Sequence, residues 1–196
     1  MSPEPRPVVG PVPAGHEPDP YDRTRRKVLW MLPTGLYVVG SRLAERCNLM
    51  TISWVTQVAL DPKLIGIGVE SGSVTHALIT GGEVFALSIL GRDQRQLVRR
   101  YAKPVDEVSL DHDGRGQMQG AGVHRATTGA PILDVAVAWL DCEVRHHLAL
   151  GSHSLFVGEV VDCALVASDH DGPPTGDAHE AVEVLRMEDT RMNYGG

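Results

Sequence analysis

The stretch from Leu133 to Val166 constrains the fold more than any other. Leu133, Val135, Val137 and Trp139 are apolar on odd positions, and Leu140, Cys142 and Val144 continue the run on even ones. Alternate residues of a strand face one side, so a change of parity within one apolar run requires an extra residue, a bulge at which the strand bends. After Gly151, the run Leu155–Val166 reads as the returning partner strand. A long bent hairpin of this kind curls a sheet toward closure. It predicts a mainly β chain forming a small closed or half-closed barrel.

The rest of the chain agrees. Runs rich in Val, Ile, Leu and Thr predict strands at Gly35–Ser41, Leu49–Thr56, Leu64–Glu70 and Val84–Leu90, with a last one at Val182–Arg186. Pro62 marks a turn between two of them, and residues 167–181, rich in Asp, Gly and Pro, read as an exposed loop. Asp22 is positioned to cap a helix running through Arg25, Arg26, Val28, Leu29 and Leu32, which Pro33 ends. The Arg23–Lys27 basic cluster then forms its solvated face. Further short helices are expected at Val74–Thr80 and from Asp93 to Ala102, before Pro104. Seven of the 13 prolines lie between Pro3 and Pro20. Residues 1–21 therefore read as a disordered or extended arm, and residues 22–196 as one domain.

Several chemistries are excluded. A net charge of −7 argues against a nucleic-acid binder with a general basic surface, and 5% aromatic content leaves few stacking platforms for single strands. Cys47, Cys142 and Cys163 are an odd, widely spaced set, which fits neither a disulfide framework nor a structural zinc site. No run of apolar residues is long enough to span a bilayer, and the N-terminus has no apolar core segment, so a cytoplasmic location is expected. Gly66-Ile67-Gly68 lacks the third glycine of a dinucleotide loop, and its neighbours Ile65, Ile67 and Val69 alternate as a strand. His146 and His147 are strand neighbours pointing to opposite faces. In His179-Glu180-x-x-Glu183 a glutamate stands where a zinc protease has its second histidine, so no metal site is expected.

Two polar segments stand out from the apolar background. Asn48, Thr51 and Ser53 interrupt a strand-like run that ends at Trp54. Glu70-Ser71-Gly72-Ser73-Val74-Thr75 is a turn opening a helix, and helix N-termini bind phosphate through free backbone N–H groups. In series, the two suit an elongated ligand with a phosphate tail. The alternative for the first segment is an ordinary half-exposed strand.

These residues also carry a resemblance. Leu32-Pro33-Thr34-Gly35-Leu36-Tyr37-Val38-Val39, then Asn48-Leu49-Met50-Thr51-Ile52-Ser53-Trp54, then Val58-Ala59-Leu60-Asp61-Pro62-Lys63-Leu64 resemble, in order and spacing, the flavin reductase-like FMN-binding split-barrel family. Thr75-His76-Ala77-Leu78-Ile79 and Glu83–Leu90 continue the match. Gly151-Ser152-His153 is similar to the family's Gly-Asp-His signature, and Met187–Gly196 resembles its C-terminal end. The resemblance spans roughly residues 30–196.

The resemblance implies a homodimer of Greek-key split barrels with a few short helices, and FMN, or FAD, bound near the subunit interface. It implies an NAD(P)H-dependent flavin reductase, with NADH or NADPH as donor, serving a partner monooxygenase. An FMN-bound electron-transfer protein of the same fold, a non-catalytic flavin-binding module and a deazaflavin in place of FMN are the alternatives. Carried onto this chain, Asn48, Leu49, Met50, Thr51, Ser53 and Trp54 line the flavin and its ribityl chain. Val58, Ala59 and Leu60 set backbone groups against the ring's polar edge, and Ser73, Thr75 and His76 hold the phosphate. His153 stands beside the nicotinamide as the catalytic candidate, and Tyr194 closes the pocket. A flavin performs hydride chemistry itself, which explains why no acid–base pair or nucleophile stands out. Two departures matter: Glu70 and Ser73 occupy a turn where relatives carry a basic residue, and Ser152 replaces the aspartate before His153. Arg42, Arg46, Lys63 and a partner subunit are the candidates for neutralising the phosphate.

Overall fold

A computed structural model describes residues 10–166 and 183–190. Helix α1 (Pro18–Leu29) begins four residues before the expected Asp22 cap, so residues 18–21 of the expected arm are helical. Pro18 sits at the first helical position, where a missing N–H costs nothing. Asp22 instead pairs with Arg25 at 3.4 Å and Arg26 at 3.3 Å, and the helix buries none of its residues.

The main sheet contains β1 (Tyr37–Leu43), β2 (Arg46–Ile52), β3 (Val55–Ala59), β4 (Leu64–Glu70), β5 (Val84–Ile89), β10 (Ala138–Ala149) and β11 (His153–Leu165). Its spatial order is β2-β1-β5-β10-β11-β4-β3, and every pairing is antiparallel. A smaller sheet joins β6 (Val108–Leu110), β7 (Gly116–Met118), β8 (Ala121–Arg125) and β9 (Pro131–Leu133) in sequence order. Helix α2 (Val74–Gly82) connects β4 to β5, and the one-turn α3 (Leu97–Arg100) follows β5.

The larger sheet is open, not a closed barrel, yet its two edges are nearly joined. The edge strands β2 and β3 are consecutive in the chain, separated only by Ser53 and Trp54. Three peptide steps span no more than about 11 Å, so the sheet must curl until its outer strands meet at that corner. This is the split-barrel architecture, with a seam where β2 and β3 do not pair. Val39, Ile52, Ile65, Ile67, Phe85, Leu87 and Phe156 pack in one core of the curled sheet. A second core gathers Val38 and Leu49 with Val98, Tyr101, Met118 and Val123 from α3 and the small sheet. Val38 and Val39 enter different cores because neighbouring strand residues face opposite sides.

Several elements differ from expectation. The run Leu49–Thr56 is not one strand but is broken at the corner. The hairpin does carry irregularities, but not at the parity change. One register shift has its extra residue, Val161, on β11 opposite Asp141 and Cys142, and the other has Arg145 extra on β10. Trp139 and Leu140 are both apolar because they face different cores. Leu133 belongs to β9, so the apolar run contains the end of one strand, a turn and the start of another. The expected helix from Asp93 to Ala102 is a 3-10 turn at Arg92–Gln94 followed by α3. There the Gln94 side chain accepts from Gly91 N–H at 2.9 Å and donates to the Val135 carbonyl, tying the turn to another segment. The last expected strand contributes only isolated bridges, Gly35 to Arg186 and Gly91 to Val184, with Val182 outside the described residues. The arm's residues 1–9 and the 167–181 loop also lie outside them.

Candidate functional site

The seam builds the principal site. Ser53 O accepts from Val55 N–H at 3.1 Å, which tightens the corner, and Trp54 O accepts from Gly68 N–H of β4 at 2.9 Å. Gly68 leaves room for the indole: a Cβ there would lie 3.0 Å from Trp54 Cε3. The tip of the β10–β11 hairpin reaches the same place. Ser71 N–H donates to Ser152 O at 2.9 Å and Ser71 Oγ donates to Gly151 O at 3.2 Å, so the tip is tied to the turn after β4. Gly151 takes φ +83°, a conformation that favours glycine. The register then sets His153 opposite Glu70. The His153 imidazole tilts against the Trp54 indole, with ring centres 4.5 Å apart, and its Nδ1 lies 3.0 Å from Ser152 Oγ.

A cavity of about 530 Å³ opens at this junction. Met50, Thr51, Ile52, Ser53 and Trp54 form one wall, Gly68 and Glu70 another, and Ser152, His153 and Ala102 complete it. Glu70 is the only carboxylate among these residues, and no lysine or arginine is among them. The size and the mixture of aromatic, aliphatic and hydroxyl groups suit a planar heteroaromatic ligand.

Behind the wall, polar side chains brace the corner. Thr51 Oγ1 donates to Val98 O at 2.8 Å, and Thr51 N–H donates to Tyr101 O at 2.9 Å. Asn48 Nδ2 donates to Thr75 Oγ1 at 2.9 Å, while Asn48 Oδ1 accepts from Val105 N–H at 2.9 Å. Asn48 and Thr75 are 2% and 0% exposed, so their side chains act as internal struts joining β2, α2 and the segment after α3. Leu49 lies wholly in the core.

At the start of α2, Ser73 Oγ accepts from His76 N–H at 3.1 Å and caps the helix. His76 Nε2 lies 2.8 Å from Ser154 Oγ, and its ring packs edge-on to Phe156 and His147. Burial, and secondarily the neighbouring His147, holds His76 below the ordinary imidazole value. His147 stacks on Phe156 at 4.4 Å. No group of three or more metal-ligating side chains occurs among the described residues.

Of the residues singled out from sequence, Met50, Thr51, Ser53, Trp54 and His153 converge on the cavity. Asn48, Leu49 and Thr75 are buried behind it, and Ser73 and His76 sit at the adjoining helix start. Val58, Ala59 and Leu60 run along edge strand β3 and its end without lining the cavity; Leu60 is 78% exposed. Tyr194 lies outside the described residues. Among the proposed basic partners, Arg42 Nε donates to Ala44 O at 2.8 Å, within the β1–β2 hairpin. Sequence reasoning missed Gly68, Ala102 and the cavity-lining position of Glu70. The strand alternation that puts Ile67 and Val69 in the core puts Gly68 and Glu70 on the other face and was the available signal; nothing local marked Ala102.

Comparison with known proteins gives consistent matches. The sequence model of the flavin reductase like domain matches residues 29–185. The NADH-dependent FAD reductase of Streptomyces globisporus is 33% identical over 145 residues, covering 73% of this chain and 76% of that protein. The NADH-dependent FMN reductase AsuE2 of Streptomyces nodosus subsp. asukaensis is 31% identical over 155 residues, covering 75% and 79%. Among solved structures, the NADH:FAD oxidoreductase SgcE6 of Streptomyces globisporus aligns with a TM-score of 0.63 and 30% identity, covering 80% of this chain and 89% of that one. The match spans only 25% and 24% of two Nostoc diflavin flavoproteins, and 59% of the high molecular weight rubredoxin of Moorella thermoacetica.

Proposed function

Because the chain belongs to the flavin reductase-like domain family, we propose that it is a flavin reductase, moving a hydride from a reduced nicotinamide, NADH or NADPH, to FMN or FAD. The observation that carries this reading is the convergence of the β2–β3 corner and the His153 hairpin tip on one cavity. The residues fit a flavin: Met50, Ile52 and Trp54 offer apolar surface for a ring, and Ser53 and Ser152 put polar groups on the same walls. When bound, the flavin supplies the hydride-accepting centre.

The chain's own residues bind and orient. Trp54 is held over Gly68 by the corner and limits where a ring can lie. His153, fixed against Trp54 and beside Ser152, stands at the cavity rim to position the donor. Ser73 and His76, at the start of α2, serve the phosphate end through the helix N-terminus.

The assembly we propose is a homodimer. Edge strand β3 and the residue after it expose Val58 (48%) and Leu60 (78%), and the hairpin tip exposes Leu148 (56%) and Leu150 (58%), surface that a second copy would cover. Among the described residues no helix is long and apolar enough to cross a membrane. A cytoplasmic location and a partner monooxygenase consuming the reduced flavin complete the proposal. The test is anaerobic: bleaching of added FMN or FAD by NADH or NADPH is expected. Absence of flavin binding refutes the reading, and bound flavin inert to both donors favours an electron carrier.

A further inference from the structure

Two apolar surfaces of this chain are uncovered, and the first belongs to α1. This twelve-residue helix buries none of its residues, and a helix of that length is marginal in water unless something packs on it. Val28 and Leu29 at its end, and Met31 and Leu32 just beyond, are exposed, Met31 by 79% and Leu32 by 63%. The backbone is tied to the body just after this run: Thr34 O accepts from Met187 N–H at 3.0 Å, and Leu36 N–H donates to Leu185 O at 3.2 Å. The second surface lies on the outer face of β4 and its neighbours. Val58 of β3 and Leu155 of β11 close over Gly66, where a Cβ would stand 3.2 Å from Val58 Cγ1 and 3.3 Å from Leu155 Cδ1. Leu148 is opposite Leu155 in the hairpin and so shares its face. Val58 and Leu148 are exposed, and the row adjoins Trp54, which packs over Gly68.

The charges flanking the two surfaces are complementary. Arg23 and Lys27 of α1 are exposed and form no ion pair among the described residues. The same holds for Asp61, in the turn after β3, and Glu70, at the end of β4. A net charge of −7 sets the chain as a whole against an anionic membrane, the other common partner of a basic helix beside apolar residues. A stable interface takes about 800 Å² from each partner, more than Val28, Leu29, Met31 and Leu32 supply alone. Twofold symmetry joins both surfaces of each copy. We propose that α1 and the run to Leu32 form a clasp that packs across Val58, Leu155 and Leu148 of a second copy, two such contacts closing the pair. The inference deepens the homodimer proposed above and rests on it. The covered face includes β11, which begins at His153, so one chain's clasp braces the other's hairpin.

The experiment uses the full chain without ligand and reads association by sedimentation equilibrium. Met31→Glu with Leu32→Glu, and separately Val58→Lys with Leu148→Lys, change exposed positions outside the cores. Each pair of substitutions breaks both contacts and raises the dimer dissociation constant at least about a hundredfold. Mixing the two variants then tests the geometry. A mixed pair keeps one native contact and sets glutamates against lysines in the other. It therefore associates at least about tenfold more tightly than either variant does with itself. A clasp that met only another clasp, or an edge that met only another edge, would give no such rescue. An unchanged constant in either variant, or a mixture no tighter than its components, overturns the clasp and leaves the homodimer standing. A monomeric native chain overturns both. No flavin or nicotinamide enters these readings, so they are decided apart from the reductase activity.

Discussion

Replacing Thr75 by valine tests whether the buried strut behind the cavity holds the corner in place. The substitution keeps the shape of the side chain and removes only the hydroxyl that accepts from Asn48 Nδ2 at 2.9 Å. Both residues are almost wholly inaccessible to water, so no solvent molecule replaces the lost acceptor. A buried donor left without a partner costs about 1–3 kcal/mol. With a urea slope of about 2 kcal/mol per molar, the unfolding midpoint falls by about 0.5–1.5 M. Thr75→Ser, which restores the acceptor, recovers most of that loss. The same bond draws α2 toward β2, so the affinities for FMN and riboflavin fall together, not FMN alone. A midpoint for Thr75→Val within about 0.2 M of the native value would refute the strut, since an intact network of this kind cannot be lost without a penalty. A selective loss of FMN affinity would instead assign the hydroxyl to the phosphate.

Three further outcomes are expected. Trp54→Leu weakens flavin binding about two- to tenfold, the range expected for losing one aromatic contact, measured by ultrafiltration of free flavin; unchanged affinity would remove the indole from the ring site. His153→Ala slows single-turnover hydride transfer by about tenfold or more through loss of donor positioning, with little change in flavin affinity, and unchanged kinetics would exclude it. Asp141 is fully buried, and burial first, then Asp162 across the ladder, raises its carboxyl above the ordinary value against the lowering effect of Thr128. The folded state therefore holds that proton more tightly than the unfolded chain. The resulting stabilisation is complete below the ordinary carboxylate value and is lost as pH rises through the raised one. Urea midpoints across this range should fall less steeply for Asp141→Asn than for the native chain, and parallel profiles would refute the assignment.

The legible parts of the fold were those where local pattern and tertiary role coincide. Strand β4 was predicted with its observed bounds, because Ile65, Ile67 and Val69 alternate into one core and turn residues flank them. The small sheet was invisible: its strands are three to five residues long, and segments such as Gly116-Gln117-Met118 carry too little periodicity to register. The corner at Ser53–Trp54 was hidden inside a continuous β-favouring run, because what breaks the strand there is the meeting of two sheet edges, a property of the whole fold. The site was legible as a segment but not as an orientation. Asn48 and Thr51 looked like ligand contacts because they are polar, yet Asn48 is turned inward to Thr75 and Val105, and the Thr51 hydroxyl is spent on Val98.

The seam also dictates an order of events during synthesis. Strands β1, β2 and β5 can pair with one another as soon as they leave the ribosome, but β4 has only β3 as a partner until β11 has been made. Until then the nascent chain is two sheet fragments hinged at Ser53–Trp54, and the core that holds Ile65, Ile67 and Val69 still lacks Cys142 and Phe156. Long-range pairing of this kind forms late and leaves apolar strand surface waiting. The binding cavity draws residues from both sides of that interval, so no cofactor can template the early half of the chain. Polypeptides that stop short of the β10–β11 hairpin therefore keep one edge of β4 unpaired, whatever the supply of flavin.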